Sequence, residues 1–451
     1  MSARDDRDTI AAVATASGAA GLGIIRLSGP RAIALAQTLT GAMLRPRHAH
    51  YLRFHDHDGS VIDDGIALSF PAPHSYTGED VVELQAHGSP VLLAQLLRRC
   101  LALGARAARP GEFTERAFLE GRLDLAQAEA VADLIHAGSE SAARAARRSL
   151  DGEFSRAVVA LAQDLSVLRV HVEAAFDFPD EDIDLLAMPA LAARLDKVRD
   201  ALSALRARAD RGRRLVDGLH VVITGAPNVG KSSLLNALVA EDRAIVSTTP
   251  GTTRDLLRED LQLDGVALTL VDSAGLHAST DPLEAEGMRR ARAELSRADL
   301  VLAVLDASAP HDAASAAFAA ELPPGVAVLW LQNKCDLVPG TSPSAVSLPG
   351  DVLAISARTG AGLDALRSRL RAAAGQDVGA TGSFSARARH LDALDHCAAA
   401  LSVASQRLAD GQGELAAEDL RLAQAALGQV TGRVDADMLL GQIFAGFCIG
   451  K

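Results

Sequence analysis

"LHVVITGAPNVGKSSLLNALVA", residues 219–240, decides the fold of the middle of the chain. It contains the pattern GxxxxGK[ST] at 225–232, between an apolar run and a leucine-rich segment. A glycine-rich loop between a strand and a helix surrounds phosphates with backbone N–H groups and a helix N-terminus. The stretch therefore predicts a P-loop α/β domain, in which Lys231 bridges the β- and γ-phosphates and Ser232 holds Mg²⁺.

Three further motifs follow in the order expected for a guanine-nucleotide site. "VDSAG" (271–275) ends an apolar run and places Asp272 near Mg²⁺ and the Gly275 N–H at the γ-phosphate. "QNKCD" (332–336) carries the guanine-reading pattern, and "SAR" (356–358) supplies a backbone contact to the guanine oxygen. The Asp336 carboxylate can accept the N1–H and 2-amino protons of guanine. Adenine lacks this donor pair and would leave a buried Asp336 unpaired, so the motifs predict GTP binding.

The segment "GTTRD" (251–255) is typical of a switch loop, with Thr253 completing the Mg²⁺ ligands; a plain Ser/Thr loop is the alternative. The predicted GTP-binding residues are Asn228, Val229, Gly230, Lys231, Ser232, Ser233, Ser247, Thr248, Thr249, Pro250, Gly251, Thr252, Asp272, Ser273, Ala274, Gly275, Asn333, Lys334, Asp336, Ser356, Ala357 and Arg358.

Leu276 stands where Ras-like GTPases keep the glutamine that orients the attacking water. Asn228 offers an amide oxygen for a monovalent cation that could replace an arginine finger. Asn228, "GTTRD" and Leu276 together resemble the K⁺-activated GTPases that dimerise through their G domains. The resemblance implies that segment 247–252 wraps the ion. The K⁺ ligands would then be Asn228, Ser247, Thr249 and Thr252. Glu284 becomes the candidate for orienting water, and an acid favoured at a helix N-terminus is the alternative reading.

Composition bounds the class of protein. The 451 residues are 49% hydrophobic and 23% charged, which predicts a soluble protein of about three domains. No apolar run approaches the ~18 residues of a membrane span, and the charged N-terminus lacks an export signal. Four scattered cysteines favour a reducing cytoplasm over a disulfide framework or a zinc site. The net charge of −12 means that nucleic-acid contact needs a local basic face or a second protein.

Residue patterns divide the chain into three domains. Residues 1–118 alternate short strand-like runs with turns and predict an α+β domain. Residues 119–216 and 376–451 are rich in helical periodicity, and 217–375 form the G domain, inserted into the helical domain. Arginine-rich helices before residue 217 indicate a basic patch or a solvated helix surface. A glycine-rich hinge, "GQDVGATGS", spans 375–383.

The chain ends in "DMLLGQIFAGFCIGK" (437–451), which resembles the C-terminal signature of the MnmE (TrmE) family of tRNA-modification GTPases. "GLGIIRLSG", "YTGEDVVELQAHGSP", "RPGEFTERAFLEGRLDLAQAEAVADLI" and "ALGQVTG" resemble the same family in the same order. The resemblance implies a homodimer with an N-terminal tetrahydrofolate-binding domain. It also implies an FAD- and NADH-using partner, MnmG. Together the two would install an aminomethyl or carboxymethylaminomethyl group on C5 of the wobble uridine (position 34) of certain tRNAs, with 5-formyl- or methylene-tetrahydrofolate supplying the carbon.

Carried over by position, the folate-binding residues are Arg26, Glu83, Arg122 and Lys451; ordinary salt bridging is the alternative for the first three. A lysine is also found in the family at the position of Arg122. Cys448 matches the family's C-terminal cysteine and is either a catalytic nucleophile or a small buried hydrophobe. A ribosome-assembly GTPase of the Era or EngA type is the competing function. It would carry a basic RNA-binding domain such as a KH module, whose GXXG loop the sequence lacks. A folate-binding protein gated by GTP would not explain the hydrolysis switch.

Overall fold

The protein is described here from a computed structural model, which describes residues 8–177, 188–241, 258–263, 266–272, 294–295, 297–309, 322, 326–338, 351–374, 383–432, 443–444, 447 and 450. The chain forms two compact units, one of residues 1–132, 150–199 and 393–451, the other of 133–149 and 200–392.

The N-terminal part of the first unit is built on a sheet of order β3-β4-β5-β2-β1-β6. Its strands are β1 Ile10–Val13, β2 Ala20–Ser28, β3 His50–His55, β4 Val61–Phe70, β5 Val81–Gly88 and β6 Arg106–Ala107. The pairs are antiparallel except β1 with β6. Helices α1 (Ala32–Thr40) and α2 (Pro90–Ala102) bury their apolar sides against one face of the sheet. The α+β prediction for this region is confirmed.

Strand alternation in β2 separates the core from a second, polar face. Ile25 and Leu27 are fully buried beneath α1 and α2, whereas Arg26 between them points to the opposite face. Glu83 lies directly opposite Arg26 on the neighbouring strand β5, between buried Val82 and Leu84. The period of two thus brings an acid and a base together outside the apolar core.

Helices make up most of the described chain outside the two sheet-containing regions. They are α3 Glu112–Leu119, α4 Leu125–His136, α5 Glu140–Leu150, α6 Glu153–Asp177, α7 Met188–Asp217, α10 Ala388–Ala409 and α11 Gly413–Thr431. In the first unit, Phe444 and Phe447 near the C-terminus pack against Leu125 and Ala128 of α4. The predicted helical region is confirmed, and the end of the chain belongs to its core.

The second unit contains a sheet of order β12-β11-β10-β7-β9-β8. Its strands are β7 Leu219–Thr224, β8 Arg258–Leu263, β9 Val266–Asp272, β10 Leu300–Asp306, β11 Ala327–Asn333 and β12 Val352–Ala354. Only β8 runs antiparallel to its neighbour. Helices α8 (Lys231–Glu241) and α9 (Leu363–Ala373) pack on the apolar strands. This is the predicted P-loop α/β domain, and it aligns the C-terminal ends of β7, β9, β10 and β11 along one edge.

Three arginines of α5 and α7 have partners inside the second unit. Arg148 donates to the Ser383 carbonyl at 3.2 Å, Arg213 pairs with Asp299, and Arg214 pairs with Asp210 at 2.8 Å. These three side chains hold helices and loops together, so each has a packing role. Of the predicted hinge at 375–383, only Ser383 lies in the described residues.

Gly212 of α7 must be a glycine, because the backbone at Phe384 lies too close to leave room for a side chain. A Cβ at this position would lie 1.8 Å from the carbonyl oxygen of Phe384, whose ring is fully buried. Arg208 of the same helix stacks over that ring at 4.7 Å. The segment leading into α10 is therefore seated directly on α7.

Candidate functional site

The phosphate loop connects β7 to α8, and two glycines allow its path. Gly225 (φ 152°) leaves no room for a side chain, because a Cβ would lie 2.3 Å from the Val304 carbonyl oxygen. Gly230 (φ 99°) would place a Cβ 2.3 Å from Nδ2 of Asn333. The GxxxxGK spacing is thus fixed by contacts with β10 and β11.

Lys231 begins α8 with its side chain 5% exposed. Its ammonium donates to the carbonyl oxygens of Gly225 at 2.8 Å and Ala226 at 2.9 Å. These bonds hold the charge inside the loop, at the N-terminus of a helix where phosphate oxygens are favoured. Ser232 and Ser233 follow in the first turn with exposed side chains. The loop therefore presents an ammonium, a helix N-terminus and hydroxyl groups at one place.

Asn333 joins the phosphate loop to the loop that carries "SAR". It is 2% exposed; its Nδ2 donates to the Val229 carbonyl at 2.8 Å and its Oδ1 accepts from the Ala357 N–H at 3.0 Å. Buried Ser356 stabilises the same loop, because its Oγ accepts from the Thr359 N–H at 3.2 Å. The buried amide thus orders both sides of the site.

Lys334 and Asp336 face the open side of the site. Lys334 has a left-handed backbone (φ 65°), and its ammonium donates to the Asn228 carbonyl at 2.9 Å. Asp336 lies in the short 3₁₀ helix Cys335–Leu337 and is exposed. Sequence reasoning took this carboxylate as buried. In the described residues it is open to solvent, so a bound base itself would have to cover it.

Asp306 is a member of the site that sequence reasoning missed. It ends β10, and its Oδ2 accepts from the Lys334 ammonium at 2.6 Å. Partial burial opposes ionisation, but the hydrogen bonds from Lys334 and Ser308 lower the pKa of Asp306. The available signal was an acid at the carboxyl end of an apolar strand, "LVLAVLD", paired in register with Asn333.

A second group of predicted residues meets on the polar face of the N-terminal sheet. Arg26 donates through Nε and Nη2 to Oε1 of Glu83, at 3.0 and 2.8 Å. Its guanidinium carbon lies 5.4 Å from the ring centre of Tyr76 and 5.8 Å from that of Phe113. Nη1 donates to the carbonyl of Gly450, next to the last residue, at 3.4 Å. Charge, aromatic rings and the chain's end thus converge here.

The C-terminal tail is seated by close backbone contacts. A Cβ on Gly450 (φ 96°) would lie 2.2 Å from the Val13 carbonyl oxygen. Among the described residues, no hydrogen bond or ion pair joins Arg122 to Arg26 or Glu83. Arg122 is exposed and packs near Gly78, whose added Cβ would lie 3.2 Å from its Cγ. The structure therefore brings Arg26 and Glu83 together with Gly450, and places Arg122 in the connection between α3 and α4.

Beside this group lies a buried ion network that sequence reasoning missed. Arg116 of α3 is nearly buried and binds Glu79 at 3.0 Å, Glu112 at 3.2 Å and Asp8 at 2.8 Å. Glu112 also accepts from the Arg109 N–H at 2.7 Å and from Arg106. These hydrogen bonds overcome the effect of burial and lower the pKa of Glu112. The "RPGEFTER" motif therefore ties α3 to the loop before β5 and to the start of β1.

Comparison with known proteins identifies the family. The MnmE helical-domain profile matches residues 125–448, and the profile for the N-terminus of the GTP-binding protein TrmE matches residues 9–122. The tRNA modification GTPase MnmE of Xanthomonas campestris pv. campestris is 57% identical over 445 residues, covering 98% of this chain and 99% of its own. The chain belongs to the MnmE (TrmE) family of tRNA modification GTPases. MnmE of Xylella fastidiosa is 56% identical over 98% of both chains.

The comparison with solved structures gives lower similarity. The G domain of the Thermotoga maritima iron transporter FeoB is 25% identical, with a TM-score of 0.27, covering 35% of this chain and 98% of its own. Era from Aquifex aeolicus is also 25% identical, with a TM-score of 0.30 and coverages of 40% and 66%. The membership in the MnmE family confirms the predicted class of enzyme, a GTP hydrolase, and the predicted fold class.

Several predicted site residues lie outside the described residues. They are Ser247, Thr248, Thr249, Pro250, Gly251, Thr252, Thr253, Ser273, Ala274, Gly275, Glu284, Cys448 and Lys451. The backbone of Asp272 is described: it ends β9, in register with Ile223 of β7. This position is consistent with the predicted approach to the phosphate loop. Among helices in the described part of the chain, none is long and apolar enough to cross a membrane.

Proposed function

We propose that this protein is a K⁺-stimulated cytoplasmic GTPase that modifies C5 of the wobble uridine of certain tRNAs. It would act as a homodimer, together with the FAD protein MnmG, on a one-carbon unit from tetrahydrofolate. The observation that carries the proposal is that one chain of the MnmE family holds both a guanine-nucleotide loop system and the Arg26–Glu83–Gly450 cluster. No described feature favours the ribosome-assembly alternative.

The nucleotide-binding part of the proposal rests on contacts within the phosphate loop that a bound nucleotide would replace. The Lys231 ammonium donates to two carbonyl oxygens of the phosphate loop, and phosphate oxygens would replace them when a nucleotide binds. The exposed Ser232 hydroxyl would hold Mg²⁺, which supplies positive charge to the phosphates. Asp336 would accept the guanine N–H groups, and the Asn333 framework would keep the two loops at the correct separation.

The part of the proposal that concerns hydrolysis rests on Asn228. It is exposed, and its positive φ of 61° makes it the outward corner of the phosphate loop. An amide oxygen there fits a monovalent cation, which when bound supplies the charge that an arginine finger supplies elsewhere. Ser247, Thr249 and Thr252 would contribute further oxygens, and Glu284 would orient the water in place of the glutamine that Leu276 replaces.

The part of the proposal that concerns folate rests on the chemistry of the Arg26–Glu83–Gly450 cluster. Glu83, 19% exposed at its side chain, can accept N–H groups of a pterin ring. Tyr76 and Phe113 flank the Arg26 guanidinium; Tyr76 is partly exposed and offers a flat apolar surface, whereas Phe113 is fully buried beside it. Tetrahydrofolate would supply the one-carbon unit, and Arg122 and Lys451 would meet its acidic tail. In the same proposal, Cys448 would act as a nucleophile.

The proposal is tested by steady-state GTP hydrolysis in KCl and in NaCl at equal ionic strength. We expect the protein to be roughly tenfold or more faster in K⁺, because a charge placed at the developing phosphate charge contributes on that scale. Asn228→Ala should lose the difference between the salts. Asn236→Ala, an exposed amide further along α8, is the matched control and should retain it. Equal wild-type rates in both salts would remove the cation from the proposal.

A further inference from the structure

The guanine-reading motif holds the phosphate loop by two consecutive carbonyls. Asn333 donates to the Val229 carbonyl at 2.8 Å, and Lys334 donates to the Asn228 carbonyl at 2.9 Å. Gly230 completes the contact, since it lies against Nδ2 of Asn333. The base site and the corner of the phosphate loop are therefore one connected structure.

The Lys334 ammonium is in turn held by Asp306. The ammonium also donates to Oδ2 of Asp306 at 2.6 Å, while Oδ1 of Asp306 accepts from the N–H of Ser308 at 2.9 Å and from its Oγ at 2.6 Å. The β10–β11 register places Asp306 directly beside Asn333. Asp306 is thus locked by its own turn and offers the ammonium a fixed counter-charge.

The phosphate-loop corner is a left-handed residue. Asn228 has a φ of 61°, a conformation that asparagine adopts more readily than other residues with a Cβ. A lysine side chain has several rotatable bonds, so its contact with the Asn228 carbonyl keeps its position only if the ammonium is restrained elsewhere. Asp306 provides that restraint.

We propose that Asp306 is a positioning residue that couples guanine recognition to the monovalent-cation site. Through Lys334 it sets the backbone position of Asn228, and therefore the place of the amide oxygen that faces the cation. The inference rests on the proposed K⁺ stimulation and goes beyond it, because it assigns the cation affinity partly to a residue that touches neither the ion nor the phosphates.

The test is the K⁺ dependence of GTP hydrolysis by the full chain carrying Asp306→Asn. Asparagine keeps the size and loses the charge. We expect the half-saturating K⁺ concentration to rise roughly tenfold, the scale of a lost charged hydrogen bond, and the KM for GTP to rise with it. At saturating K⁺ and GTP, kcat should stay near the wild-type value, because the reacting groups are intact.

Three variants separate coupling from simple stabilisation. Lys334→Gln breaks the same link from its other end and should raise the half-saturating K⁺ concentration similarly. Asp306→Glu keeps the charge and should recover part of the wild-type K⁺ affinity. Ser308→Ala removes one hydroxyl donor while leaving the ammonium contact, and should give the smallest change.

The outcomes distinguish this inference from the function on which it rests. If the wild type is K⁺-stimulated and Asp306→Asn retains the wild-type half-saturating K⁺ concentration, with only its melting temperature lowered, the coupling is wrong and K⁺ stimulation stands. If the wild type responds equally to K⁺ and Na⁺, both are wrong. If Asp306→Asn does not fold, Lys334→Gln and Asp306→Glu decide by the same K⁺ titration.

Discussion

Asp336→Asn is expected to weaken the binding of GDP and GTP by on the order of 100-fold or more and to improve the binding of xanthosine nucleotides. The carboxylate would accept two N–H groups of guanine, and hydrogen bonds to a charged group contribute about 1.5–3 kcal/mol each. Xanthine carries a carbonyl in place of the 2-amino group, and an asparagine amide can donate to it. Because Asp336 is exposed on a short 3₁₀ turn, the fold should tolerate the exchange.

Titration with fluorescent guanosine and xanthosine nucleotides measures this change in specificity. Asp364→Asn is the matched control, since Asp364 is a fully exposed acid in the first turn of α9 and pairs with Arg367 of the same helix. It should leave both affinities unchanged. If Asp336→Asn kept the wild-type preference for guanine, the assignment of "NKCD" as the base-reading motif would be wrong.

Arg116→Met should destabilise the N-terminal sheet by about 3–5 kcal/mol, the usual cost of removing one partner from a buried ion network. The exchange leaves the buried carboxylate of Glu112 and that of Glu79 with one cation fewer. Arg109→Met is the matched control from the same motif. Arg109 is 63% exposed at its side chain, so losing its pair with Glu115 and its longer contact with Glu112, at 3.6 Å, should cost less than about 1 kcal/mol.

Hydrogen–deuterium exchange of β1 and β2 in the full chain measures this loss locally. Trp330, the single tryptophan, is buried in the second unit, and its fluorescence reports whether the G domain stays folded. If Arg109→Met increased the exchange rate as much as Arg116→Met does, burial would not be the reason that Arg116 matters for stability.

The ion network around Arg116 also determines how low the pH can fall before the N-terminal sheet loses stability. The pKa of Glu112 is lowered below its ordinary value of 4.5, so its contribution to stability is complete above that pH and is lost as the pH falls through the lowered value. Arg116→Met removes one of the groups that lower the pKa. The variant should therefore lose protection of β1 and β2 at a higher pH than the wild type does.

The nucleotide loops could be predicted from sequence because each is a short motif whose geometry is local. GxxxxGK fixes a loop between its own strand and helix, and "NKCD" fixes a turn after its own strand. Asp306 could not be assigned this way, since its partner Lys334 lies just after β11, the neighbouring strand, and is brought close by the parallel register. Nor could the exposure of Asp336 be read from the pattern.

The N-terminal site shows the same limit. Alternation in "GIIRLS" places Arg26 off the apolar face, but its pairing with Glu83 depends on the antiparallel register of β2 and β5. Arg116 carries no sequence signal of burial, because its partners come from the chain before β1 and from the loop before β5. The approach of Gly450 to Arg26 joins residues 424 positions apart. Such contacts follow from tertiary packing and not from local patterns.

The central proposal, a GTPase that modifies wobble uridines, is tested most directly by nucleoside mass spectrometry of bulk tRNA from a strain lacking this gene. The account predicts loss of the aminomethyl and carboxymethylaminomethyl groups at C5 of wobble uridine. Complementation with the wild type or with Asp364→Asn should restore them, and complementation with Asp336→Asn should not. Unchanged modified uridines in a strain with no second copy of the gene would contradict the account and favour a ribosome-assembly GTPase.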